Sequence, residues 1–110
     1  TEASGQEACQ ALLARGEPID AICAASDLIA IGAMRALIEH GRRVPQDVAV
    51  IGFDDIPAAR MATPALSTIA QDTGSAGERL VDTLLQAIAG ESVHDQHLPV
   101  TLVPRQSSRR

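Results

Sequence analysis

Two apolar runs too short for helices, residues 21–25 and 48–53, flank a stretch whose apolar residues recur at helical spacing, from Leu28 to about His40. Strands joined through a helix pair in parallel, because an antiparallel neighbour needs only a tight turn. The pattern then continues. Residues 66–70 form a third short run, a helical stripe follows from Asp72 or Thr73 to Ala89, and residues 98–103 form a last run. This alternation predicts an α/β fold, a Rossmann-like parallel sheet flanked by helices. It contains no internal repeat and no low-complexity segment.

The boundaries carry local signals. Ser4 and Glu7 have the spacing of a capping box, and Gly16 ends the helix they open. Ser26 or Asp27 caps the next helix, which Gly41 stops, and Arg42-Arg43 suit its negative end. Residues 44–47 form a turn. Residues 56–65, with two prolines, read as a loop holding at most one helical turn.

Phe53 is the sole aromatic residue, so the core must come from Ala, Val, Ile and Leu, within an apolar content of 45%. A length of 110 residues allows one domain or a piece of one. The formal net charge of -5 argues against a nucleic-acid surface on this segment, which needs clustered basic residues. Cys9 and Cys23 lie in apolar patterns and read as two buried thiols in a reducing compartment. No apolar stretch approaches the roughly 20 residues that span a bilayer, and no signal-peptide pattern opens the chain.

In an open α/β sheet, ligands bind beyond the carboxyl ends of the strands. Ser26-Asp27 and Asp54-Asp55 stand at two such ends. Hydroxyls and carboxylates there suit a polar, uncharged, hydroxyl-rich ligand. The same residues also serve as an N-cap and an Asx-turn, uses compatible with binding. Adjacent carboxylates repel each other, which adds weight to a binding role. No third carboxylate has metal-ligand spacing, and His40, His94 and His97 show no zinc pattern with the cysteines. Ser67-Thr68 lacks an adjacent base, and the glycines form no phosphate loop. Gly52 reads as a place where the backbone passes close to a neighbour. Small-molecule recognition is therefore expected, with no catalytic residue, metal or cofactor.

Two helices lack partners. The helix from Leu28 is apolar on two sides, with Arg35, Glu39 and His40 almost its only polar positions. One side faces the sheet, and the other is left for a partner subunit or a larger parent domain. The helix from Thr73 bears a stripe of Leu80, Val81, Leu84, Leu85 and Ile88 with too few strands to cover it. That mismatch points to a piece of a larger two-domain protein.

Four segments resemble, in order, the LacI/GalR family of transcriptional regulators. They are residues 24–33 (AASDLIAIGA), 44–55 (VPQDVAVIGFDD), 64–71 (PALSTIAQ) and 98–108 (LPVTLVPRQSS). The resemblance implies a helix-turn-helix headpiece joined to a core like that of periplasmic sugar-binding proteins, with an effector between two Rossmann-like lobes. Residues 1–110 would be the C-terminal portion of that core, chiefly the C-terminal lobe of a type I fold. Residues about 73–90 would pack on the missing N-terminal lobe, and the headpiece lies outside the chain.

Carried over by motif, the effector contacts fall on Ser26, Asp54 and Gln71, with Asp27, Asp55 and Thr73 as further candidates. Ser26 departs from the family, which often has Asn there, and Thr73 stands where some members carry an aromatic ring. The implied partners are a carbohydrate effector, a second copy of the chain, and operator DNA through the headpiece alone. No membrane is implied, and the implied location is cytoplasmic. Family dimers use the C-terminal lobe, and Ile31, Met34, Arg35, Ala59 and Met61 fit that seam.

Two rivals share these features. A periplasmic sugar-binding protein of a transporter has the same fold, but a monomeric binder needs no apolar outer face on the helix from Leu28. A small α/β enzyme would use Asp54 and Asp55 for acid–base or metal chemistry. Turnover abolished by Asp54→Asn would mark it.

Overall fold

The structure is a computed structural model and describes residues 1–109. Its elements run α1 (Glu2–Ala14), β1 (Ala21–Cys23), α2 (Asp27–Glu39), β2 (Ala49–Ile51), α3 (Pro57–Met61), β3 (Thr68–Gln71), α4 (Thr73–Ile88) and β4 (Val100–Val103). A 3-10 turn at Gln106–Ser108, not expected from the sequence, follows β4. The chain divides into two compact units. The first is Thr1–Ala70 with the chain from Leu102 onward; the second is Gln71–Thr101.

β1 and β2 are parallel, with Ala21, Ile22 and Cys23 opposite Ala49, Val50 and Ile51. Ser67 makes a parallel bridge to Ile51, so the chain entering β3 lies beside β2. The Gly52 N–H donates to Ser67 O at 2.9 Å, and the Asp54 N–H to Ile69 O at 2.9 Å. β3 and β4 pair in a second two-stranded sheet. β1 and β2 each end two residues short of the apolar runs that predict them.

The first unit's core is aliphatic, as the composition requires. Leu37 and Leu66 are its largest fully buried apolar side chains, with Val48 and Val50 of the sheet and Ala30, Ala33 and Ala36 of α2 around them. Small residues let α2 lie close to its neighbours. A β-carbon on Gly32 would overlap Glu2 O of α1, and one on Gly5 would overlap Ile29 O of α2. Two glycines thus set a main-chain-to-main-chain crossing. Part of the second apolar side of α2 is covered by α1, and α3 packs against α2 as well.

Two local expectations change. Thr1, not Ser4, caps α1, with the Ser4 N–H donating to Thr1 Oγ1 at 3.1 Å and the Ser4 hydroxyl to Thr1 O at 2.8 Å. Serine at N3 replaces the usual Glu of the box, which is why Ser4–Glu7 looked better in sequence. Only Cys9 is buried, and desolvation pushes its thiol up; Cys23 is exposed, and both are free.

In the second unit, α4 begins at the Asp72 cap, whose Oδ1 accepts from the Ser75 N–H at 3.0 Å. No residue of α4 is buried, and its stripe stays open, Leu80 at 73% and Ile88 at 74% exposed. No described helix is long and apolar enough to cross a membrane.

Candidate functional site

Ser26 follows β1 in extended backbone, φ -155° and ψ 163°, and caps α2 by accepting from the Ile29 N–H at 3.4 Å. The turn after β2 is less ordinary. Asp54 and Asp55 hold φ of +110° and +52°, left-handed backbone that side-chain-bearing residues seldom adopt. Such a conformation persists only where its surroundings hold it. The Asp27 N–H donates to Phe53 O at 2.8 Å, which joins the two strand-end turns. Ser26 and Asp54 therefore stand on neighbouring turns at one sheet edge.

The three aspartates differ in role. Asp27 is fully buried; its Oδ1 accepts from the Thr68 hydroxyl at 2.5 Å and its Oδ2 from the Ile56 N–H at 2.9 Å. Gly52 gives it room, since a β-carbon there would overlap Asp27 Oδ1, the close approach expected of this glycine. Asp55 is 14% exposed in its side chain. Its Oδ1 accepts from Arg105 Nη2 at 2.5 Å and its Oδ2 from Arg60 Nη2 at 3.2 Å. The Arg105 hydrogen bond, opposed by desolvation and joined by Arg60, holds the Asp55 carboxyl below its ordinary range. Asp27 and Asp55 are thus committed to the protein's own donors, and the repulsion expected between Asp54 and Asp55 is answered by two guanidiniums. Asp54 is the exposed carboxylate of the three.

Gln71 and Thr73 are exposed and belong to the second unit. Among the described residues, no group of three or more His, Cys, Asp or Glu side chains could hold a metal ion. The Ser67 hydroxyl, 2.7 Å from Ser108 Oγ, accepts from the Arg105 N–H at 2.7 Å. The strand ends carry oxygen acceptors, the Ser26 hydroxyl and the Asp54 carboxylate, of a kind suited to ligand hydroxyls.

Sequence reasoning missed Arg105 and Ser107. Arg105 also donates from Nη1 to Leu66 O at 2.9 Å, and its side chain is 15% exposed. The Ser107 hydroxyl donates to Val50 O at 2.6 Å and accepts from the Ser67 N–H at 2.8 Å, fully buried. One signal was available: adjacent aspartates at a strand end call for a cation, and this chain has arginine and no lysine to supply it.

A groove opens on the outer side of α2, lined by Ile31, Met34, Arg35, Ile38, Ala62 and Thr63. Ile38 is 51% exposed, and Met61 beside Ala62 is 81% exposed. Ala59 is fully buried and does not line this groove, against the expectation. Met34 is largely buried too and forms the groove floor.

The sequence matches the periplasmic binding protein-like domain over residues 1–108. The HTH-type transcriptional regulator CelR of Thermobifida fusca is 42% identical over 100 residues, 91% of this chain and 28% of that protein. The lac repressor dimer bound to operator and the anti-inducer ONPF superposes with a TM-score of 0.92 at 39% identity. That match covers 98% of this chain and 38% of that one. A CelR–cellobiose complex superposes at 0.89 and 39% identity, over 98% of this chain and 34% of that one. The chain thus spans about a third of the length of these relatives. The chain belongs to the periplasmic binding protein-like domain family and, within it, to the LacI family.

Proposed function

We propose that this chain is the effector-sensing and dimerising part of a DNA-binding transcriptional regulator, and that its effector is a carbohydrate. The observation that carries the reading is the exposed Asp54 carboxylate, set on a left-handed turn beside Ser26 at the strand ends. Charged acceptors bind hydroxyls roughly twice as strongly as neutral ones. Cellobiose in the CelR complex supports the ligand class.

In this reading Asp54 and Ser26 accept from ligand hydroxyls. The stripe of α4 packs on the N-terminal lobe, which lies outside this chain. The groove on α2, with Met61, meets a second copy of the chain. Operator DNA is contacted by a separate headpiece in the cytoplasm, and no reaction is catalysed. Named relatives that are regulators favour this reading over a transporter component.

The test is a thermal-shift screen of the intact protein against sugars, sugar phosphates and nucleosides, repeated with Asp54→Ala. A ligand at about 100 times its Kd adds roughly 2.7 kcal/mol. Stabilisation by a sugar that vanishes in the variant is expected. Stabilisation that survives the substitution would remove Asp54 from the site.

A further inference from the structure

We propose that Asp27 is a positioning residue for Asp54, acting through Thr68 and the Ile56 amide. The inference rests on the assignment of Asp54 as the ligand-facing carboxylate and adds what keeps it in place. The turn from Asp54 to Ile56 has two consecutive residues at positive φ, a conformation that relaxes unless held.

Each amide of the turn has one acceptor. The Asp54 N–H donates to Ile69 O at 2.9 Å, the Asp55 N–H to Thr68 Oγ1 at 3.4 Å, and the Ile56 N–H to Asp27 Oδ2 at 2.9 Å. The Thr68 hydroxyl is itself oriented by Asp27, donating its hydrogen to Oδ1. Thr68 can accept from Asp55 in that geometry because its own proton points to the carboxylate. Two of the three amides therefore depend on one fully buried side chain. Asp27 also grips the turn from its other end, through its N–H to Phe53 O.

Asp27 is the first residue of α2, directly after the capping Ser26. The same residue thus fixes the helix start that carries Ser26 and the turn that carries Asp54, and so sets the separation of the two ligand-facing groups. Its partners are a hydroxyl and an amide rather than a cation, as suits a geometric role.

The experiment uses the intact protein without ligand and follows amide hydrogen exchange in the segment 53–57. In Thr68→Val, exchange at Asp55 and Ile56 is expected to quicken at least tenfold while α1 and the later turns of α2 keep their protection. Thr68→Ser, which retains the hydroxyl, is expected to restore slow exchange. Asp27→Asn, which keeps one acceptor oxygen, is expected to fall between wild type and Asp27→Ala. For any sugar that stabilises the wild type, Thr68→Val is expected to weaken Kd at least tenfold and Thr68→Ser less than threefold. Unchanged exchange in 53–57, or quickening spread evenly over the first unit, would overturn the proposal. Failure of every sugar to bind wild type would count against the carbohydrate reading, and the exchange result would still decide the role of Asp27.

Discussion

Asp27, Asp54 and Asp55 are the same side chain in three surroundings, and the surroundings divide their work. Asp55 bridges Arg105 and Arg60, which lowers its affinity for a proton in the folded state. A carboxylate whose pKa is depressed on folding stabilises above its unfolded pKa, near 3.9, and that stability is lost as pH falls through the lower folded value. Asp55→Asn is therefore expected to lower the urea midpoint at pH 7 and to flatten its decline as pH falls below about 4. Asp47, held low by Arg43, and Asp72, held low by Ser75, keep part of the acid limb in that variant. Gly52→Ala drives a β-carbon into Asp27 and within 3.1 Å of Leu66 Cδ2. An overpacking cost of about 1–3 kcal/mol is expected in denaturant unfolding. The strand-end location of these residues was legible because short apolar runs stop where polar residues begin. Their division of labour was not, since burial of Asp27 depends on Thr68, 41 positions away, and pairing of Asp55 on Arg105, 50 positions away.

At the scale of elements, the crossing of α1 and α2 rests on missing side chains. Gly32→Ala puts a methyl against Glu2 O and within 2.8 Å of Gln6 N, both main-chain atoms, so the helices must separate. A loss of about 1–3 kcal/mol is expected, read from the same unfolding curves. Ser107→Ala leaves Val50 O without its donor and the Ser67 N–H without its acceptor, both in the interior. Each orphaned group costs about 1–3 kcal/mol. The helices α2 and α4 were readable almost to the residue, because a cap opens each and a glycine closes each. The start of α1 was not, because a Ser at N3 reproduces the box with a different residue. The 3-10 turn left no periodic trace at three residues, and its purpose is tertiary.

At the scale of the whole molecule, two apolar surfaces belong to different partners in the proposed regulator. Ile38→Asp, at a half-exposed position on the α2 groove, is expected to convert a dimer to monomers in sedimentation velocity while leaving far-ultraviolet dichroism unchanged. Leu84→Asp, on α4, is expected to lower the melting temperature of the intact protein, where that stripe is covered by the other lobe. The turn at Gln106–Ser108 bears on how such a molecule is made. Ser107 closes the sheet onto Val50, a residue 57 positions earlier. A ribosome adding roughly 5–20 residues per second needs about 3–11 seconds to cover that distance. Throughout that interval the Val50 carbonyl lacks the Ser107 hydroxyl that donates to it in the folded unit. The first unit cannot be completed during synthesis until the chain through Ser108 is free, so its nascent form is expected to depend on chaperones more than its size alone would require.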